Sequence, residues 1–178
     1  PGGKGANQAV ALGKLGTKVT MLGKIGNDSF GKDLISSMNN SGVDTEYIET
    51  SASSTGIAKI IVEENGQNRI LVVSGANMDV DRAYIDRHMD VIKEADILVT
   101  QLEIPMDTVE YALKKAKEAG KTTILNPAPA APLNDEIIKN SDIIIPNESE
   151  LGIITGMPTN TLKEIESAAH KLLNMGVK

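Results

Sequence analysis

Short apolar runs alternate along most of this chain with longer segments in which apolar residues recur every three or four positions. The first pattern marks buried strands; the second marks helices with one face turned inward. Val10 and Leu12, set among alanines, predict a helix over Ala6–Leu15 that Gly16 ends, and Lys18–Leu22 (KVTML) predicts a strand. Phe30, Leu34, Ile35 and Met38 stand at helical spacing and predict a helix over Asp28–Asn40, with Gly42 as its stop. Thr45–Glu49 reads as a further short strand. From residue 81 the rhythm is regular. Helix Asp81–Glu94 leads to strand Asp96–Gln101, and helix Met106–Ala119, with Pro105 at its start, leads to strand Thr122–Leu125. A short helix near Asn134–Lys139, strand Asp142–Ile145 and helices Glu148–Thr155 and Leu162–Met175 complete the series. Strands alternating with helices at this spacing predict an α/β fold: a doubly wound, mostly parallel sheet with helices on both faces.

Residues 53–74 break that rhythm. Thr55–Glu63 is rich in Ile and Val, Arg69–Val73 answers it, and Asn65-Gly66 between them is a strong signal for a tight hairpin turn. The segment reads as a β-hairpin inserted into the α/β pattern, with a strand edge that needs pairing or cover. The chain opens on a loop and helix with no strand before them, and it closes on Gly176-Val177-Lys178, which reads as the start of another strand. Residues 1–178 therefore read as part of one α/β domain with both ends cut.

Composition narrows the classes of function. The 178 residues are 40% hydrophobic and 24% charged, enough for a real core. Aromatic content of 2% leaves almost no stacking platform for single-stranded nucleic acid, and a net charge of −6 opposes non-specific binding to nucleic acid or anionic lipid. No cysteine is present, which excludes disulfides and thiolate chemistry. His88 and His170 stand far apart in helix-like segments and read as surface or packing residues. No apolar run approaches the roughly 18 residues of a membrane span, and the composition fits a cytoplasmic protein.

Two regions hold residues suited to chemistry. In GGKGANQAV (residues 2–10), glycines around Lys4 set backbone N–H groups, an ammonium and the Asn7 amide at a helix start, a place suited to a polyhydroxylated or anionic small molecule. Lys4 also has a plain reading as a solvated loop lysine, and Asn7 one as a helix cap. In the second region, three successive strands run into Glu103, Asn126 and Asn147. Ligands of open α/β sheets bind outside the carboxyl ends of the strands, so these three should lie along one rim. Asn147-Glu148-Ser149-Glu150 equally fits a capping box, and the two roles are compatible. Thr161-x-x-Glu164 is a capping box without functional meaning. Gly26–Lys32 matches G-x-x-x-x-G-K, but Asp33 stands where a phosphate loop needs Ser or Thr, so the stretch reads as a loop and helix start.

Several stretches, in this order, resemble the ribokinase-like, phosphofructokinase-B family of sugar kinases: GGKGANQAVA (2–11), Ser54-Thr55-Gly56, Ser74-Gly75-Ala76-Asn77, Gln101-Leu102-Glu103, Asn126-Pro127-Ala128-Pro129-Ala130 and Pro146-Asn147-Glu148-Ser149-Glu150. The resemblance implies ATP-dependent phosphate transfer to the 5-hydroxyl of ribose. It implies that Gly3, Lys4, Asn7 and Glu103 hold the sugar, that Asn147 lies near the ATP phosphates, and that Glu150 organises Mg2+ through water. It also implies that the hairpin is part of a lid that builds a homodimer. The family's first strand with its Asn-x-Asp motif is absent from this chain. So is the later Gly-Ala-Gly-Asp motif, which supplies the anion hole and catalytic base. The adenine pocket and potassium site belong to that later half. The parent protein is thus expected to be the kinase and this chain alone to be inactive. Two other readings stay open: a kinase of the same family for fructose, adenosine or a deoxy sugar, and a non-catalytic sugar-binding module.

Overall fold

A computed structural model describes residues 2–62 and 68–178 and divides the chain into two units, residues 1–80 and 81–178. In the first unit, helix α1 (Lys4–Lys14) begins two residues before the predicted Ala6. Its small residues Ala6 and Ala9 let it lie close against Met38 of helix α2 (Ser29–Asn39) and against Val43. Asp28 caps α2, accepting the Gly31 N–H at 2.9 Å, so the G-x-x-x-x-G-K match is a loop and helix start as its Asp33 implied.

The predicted strand Lys18–Leu22 shortens to β1 (Val19–Thr20), and an unpredicted strand, β2 (Gly23–Gly26), follows it. The predicted strand Thr45–Glu49 is replaced by β3 (Val43–Asp44) and β4 (Ile48–Ser51). Strand β1 pairs in parallel with β3, and β2 with β4. The physical cause of the break between β3 and β4 is local. The Asp44 carboxylate accepts the Glu46 N–H at 3.0 Å, and the Ile48 N–H returns to the Thr45 carbonyl at 3.1 Å, turning the chain where the alternation read as extended.

Strands β5 (Ile57–Val62) and β6 (Asn68–Val73) form the expected antiparallel hairpin, in register from Ile57↔Val73 to Val62↔Asn68. The predicted Asn65-Gly66 turn lies outside the described residues. Ile57, Leu71, Val72 and Val73 on the hairpin are exposed. A 3-10 helix, Gly75–Asp79, follows.

In the second unit the predicted helix Asp81–Glu94 is split at His88 into α3 (Arg82–Arg87) and α4 (Met89–Glu94). The His88 N–H bonds to the Ile85 carbonyl three residues back, and its ring packs edge-on against fully buried Tyr84 at 4.5 Å. His170 is exposed and its Nδ1 lies 2.8 Å from the Glu166 carbonyl, so both histidines have the packing and surface roles read from the sequence.

The remaining elements follow the sequence pattern closely: β7 (Ile97–Thr100), α5 (Met106–Glu118), β8 (Thr122–Leu125), α6 (Asp135–Lys139), β9 (Ile143–Ile144), α7 (Glu148–Thr155) and α8 (Leu162–Asn174). Strands β7, β8 and β9 form a parallel sheet in that order. Leu125 packs with Val109 and Leu113 of α5 and Ile137 of α6, while Ile138 joins Leu151 and Ile154 of α7 to Ala168 and Leu172 of α8. The alternate positions Ile97 (50%), Val99 (37%), Ile143 (43%) and Ile145 (55%) are exposed, so within this chain the expected two-sided cover is complete on one face of this sheet.

At the amino ends of β8 and β9, Asp142 is buried. Its carboxylate accepts the Lys117 ammonium, the Lys178 ammonium at 3.0 Å, and both the N–H and hydroxyl of Thr123 at 3.1 Å. Burial pushes the Asp142 carboxyl up, but the lysine and threonine donors outweigh it and hold it far below the ordinary carboxylate range. A depressed folded-state pKa contributes stability above the unfolded value near 4, which is lost as pH falls through the folded value. Asp142→Asn should therefore lower the stability of the chain by about 2 kcal/mol at neutral pH. In urea unfolding the gap between variant and wild type should narrow below about pH 4.

Candidate functional site

The sequence-predicted residues fall in both units. Gly3, Lys4 and Asn7 belong to the first; Glu103, Asn147 and Glu150 belong to the second.

Gly3 is the N-cap of α1, with φ +96°, a conformation that glycine adopts without steric cost. It has no side chain to cap the helix. Asn7 lies one turn inside α1, its N–H bonded to the Gly3 carbonyl at 2.9 Å, and its side chain is exposed. The capping reading of Asn7 is thereby corrected: the helix starts before it. This end of α1 offers first-turn N–H groups and the positive end of the helix dipole, flanked by the partly exposed Lys4.

In the second unit, parallel pairing aligns Thr100 with Leu125 and Leu125 with Ile144, so three strands end at one level. Adjacent strands lie roughly 4.8 Å apart, which makes the row of tips about 10 Å wide. Glu103 stands three residues beyond the first tip, Asn126 one beyond the second and Asn147 three beyond the third. The structure thus brings these three to one end of the sheet. The loops are stitched there: the Leu102 N–H donates to the Ala128 carbonyl at 2.9 Å, and the Asn126 side-chain amide donates to the Ile145 carbonyl at 3.1 Å. Asn126 therefore serves as a tie between β8 and β9.

Asn147 and Glu150 form a complete capping box on α7. Asn147 Oδ1 accepts the Glu150 N–H, and Glu150 Oε2 accepts the Asn147 N–H, both at 2.8 Å. Glu150 is 7% exposed and Asn147 is exposed. The box fixes a buried carboxylate at the rim, beside the positive end of α7. Thr161 and Glu164 make the second predicted box, on α8 and away from the rim. Among the described residues no group of three or more His, Cys, Asp or Glu side chains could cage a metal. One buried, oriented carboxylate oxygen donor suits a magnesium ion that keeps most of its water shell, since this ion takes few protein ligands.

The sequence holds no sign that Asp28 and Thr55 are bonded to each other. Asp28 belongs to the rejected G-x-x-x-x-G-K match, and its bonds to Thr55 span 27 positions, a separation for which local pattern carries no signal.

The chain matches the family model described as pfkB family carbohydrate kinase over residues 1–178. It is 42% identical over 184 residues to a ribokinase of Schizosaccharomyces pombe, covering 99% of this chain and 58% of that protein. It is 42% identical over 178 residues to a deoxyribokinase of Salmonella typhi, with the same coverage. It superposes on a structure of Arabidopsis thaliana ribokinase complexed with ribose and ATP with a TM-score of 0.93 and 35% identity, covering 99% of this chain and 58% of that one. The chain thus spans somewhat more than half the length of the relatives it matches, and its α/β architecture is the fold of these kinases.

The capping geometry has a measurable consequence. Asn147→Ala should lower stability by about 1 kcal/mol in urea unfolding, and Asn147→Asp, which retains the acceptor, by less.

Proposed function

The chain belongs to the pfkB family of carbohydrate kinases, and from that premise we propose that its parent protein transfers the γ-phosphoryl group of ATP to the 5-hydroxyl of ribose. The observation that carries this reading is the rim at which Glu103, Asn147 and the buried Glu150 close the carboxyl end of an in-register parallel sheet. Gly3, Lys4 and Asn7 contact the sugar in this proposal. A ribose presents several hydroxyls, and backbone N–H groups, an ammonium and an amide donate to them directionally. Glu103, a carboxylate, accepts from a sugar hydroxyl.

Glu103, Glu148 and Glu150 make the rim acidic, so a bare polyphosphate would be repelled there. A magnesium–ATP complex would not, because the metal neutralises phosphate charge when bound. Asn147 faces the phosphates in this reading, and Glu150, held in place by the same bond that caps α7, would help hold a hydrated magnesium ion there. Phosphoryl transfer depends on positioning and charge neutralisation rather than covalent chemistry, so these modest contacts suffice for their share of the work.

The hairpin over residues 53–74 acts as part of a lid on a ribokinase-like α/β domain, excluding water from the acceptor hydroxyl. Its exposed apolar residues Ile57, Leu71, Val72 and Val73 favour a homodimer paired through it, and the parent enzyme works in the cytoplasm. The catalytic base, the anion hole, the adenine pocket and any potassium site are supplied by parts of the parent protein outside these 178 residues, which contain no Gly-Ala-Gly-Asp motif. Removing one anion-hole donor costs an enzyme about 3 kcal/mol, so the 178 residues alone should be inactive. A deoxyribose acceptor is the second reading, favoured by the similarity to a deoxyribokinase.

ADP release by the full-length parent protein, assayed with ribose, 2-deoxyribose, fructose and adenosine, tests the assignment. Ribose should give the highest kcat/KM, and preference for fructose or adenosine would overturn it. Glu103→Ala should raise the KM for the preferred sugar by roughly 10- to 100-fold with the fold intact, the worth of a hydrogen bond to a charged group.

A further inference from the structure

Three stretches of the first unit, remote in sequence, meet in one hydrogen-bonded knot: the turn Gly26–Gly31, the hairpin's leading foot Ser54–Gly56 and its trailing foot Ser74–Asn77. Asp28 is the centre. Its Oδ1 accepts the Gly31 N–H at 2.9 Å and the Thr55 hydroxyl at 2.7 Å, and its Oδ2 accepts the Thr55 N–H at 2.8 Å. Thr55 Oγ1 in turn accepts the Gly26 N–H at 2.9 Å. Thr55 is 5% exposed and stands two residues before β5. The trailing foot is tied to the leading one. The Ala76 N–H donates to the Ser54 carbonyl at 2.8 Å, and Gly75 has φ +51°, where a Cβ would collide with that same carbonyl oxygen.

Capping α2 needs one acceptor on Asp28, and the Gly31 N–H takes it. The two bonds to Thr55 are additional, and bonds to an ionised carboxylate are about twice as strong as neutral ones. The Thr55 N–H, more than any other donor, holds the Asp28 carboxyl below its ordinary range, so the group is charged at neutral pH. The hairpin is thus fixed at its feet, while exposed Leu71, Val72 and Val73 show how little of strand β6 packs on the rest of the chain.

We propose that Asp28 is a positioning residue for sugar binding, acting through Thr55 to set the direction in which the β5–β6 hairpin leaves the Gly26–Gly31 turn. The inference rests on the reading of the hairpin as the lid of a sugar kinase. The Asp28 carboxylate is engaged by Gly31 and Thr55, and so fixes the foot of the element that closes on the sugar. Its loss should therefore weaken the sugar and leave ATP binding alone.

The test uses the full-length parent protein with Asp28→Asn, Thr55→Val and Thr55→Ser, read by amide hydrogen exchange and by steady-state kinetics. Thr55→Val keeps the side-chain shape and removes the hydroxyl, so it reports even where Asp28→Asn fails to fold. The expected result is faster exchange confined to β5, β6 and their feet, with α5 and α8 unchanged. The sugar KM should rise about tenfold, as for one lost bond to a charged group, at constant KM for ATP. Thr55→Ser, which restores the hydroxyl, should restore both. Unchanged exchange in the hairpin would overturn the inference and leave the lid reading standing. A loosened hairpin with an unchanged sugar KM would overturn it through the lid reading itself.

Discussion

The parallel pairing of β7, β8 and β9 is the constraint on which the candidate site depends. In a parallel sheet every strand runs the same way, so the residues that follow each strand must emerge at one end. Register then fixes their level: Thr100, Leu125 and Ile144 form one row, and Glu103, Asn126 and Asn147 follow it. A shift of one residue would also turn the inward row, which includes buried Leu125 and Thr123, toward the exposed face that carries Ile97 and Val99. The packing of Leu125 on Val109, Leu113 and Ile137 therefore holds the rim as well as the core. Asp142 secures the opposite end of the same strands, where buried carboxylate bonds to Thr123 lock β8 against the start of β9.

At the rim, capping and chemistry share residues. Asn147 and Glu150 satisfy each other's backbone N–H groups, which removes the freedom of a buried glutamate and aims it. A carboxylate held this way loses little conformational entropy when it meets a hydrated cation. The start of α1 follows the opposite logic. Gly3, the N-cap of α1, has no side chain to cap it, whereas Asp28, Asn147 and Thr161 cap α2, α7 and α8 with theirs.

Much of this was legible in the sequence. Helices α5, α7 and α8 and strand β8 are long or cleanly bounded periodic segments, and their limits follow from local capping and apolar spacing alone. Both capping boxes and the rim were readable for the same reason: each is a matter of a few neighbouring residues or of strand direction. Tertiary structure decided the rest. The limits of β1 to β4, of which β2 and β3 lie outside the predicted ranges, depend on partners 24 and 25 positions apart and on an Asp44 turn that interrupts an apparently extended run. Asn126 became a tie rather than a free rim group because β9 brought the Ile145 carbonyl within reach. The Asp28–Thr55 bonds join residues that share no local pattern, and only folding brings such pairs within 3 Å of each other.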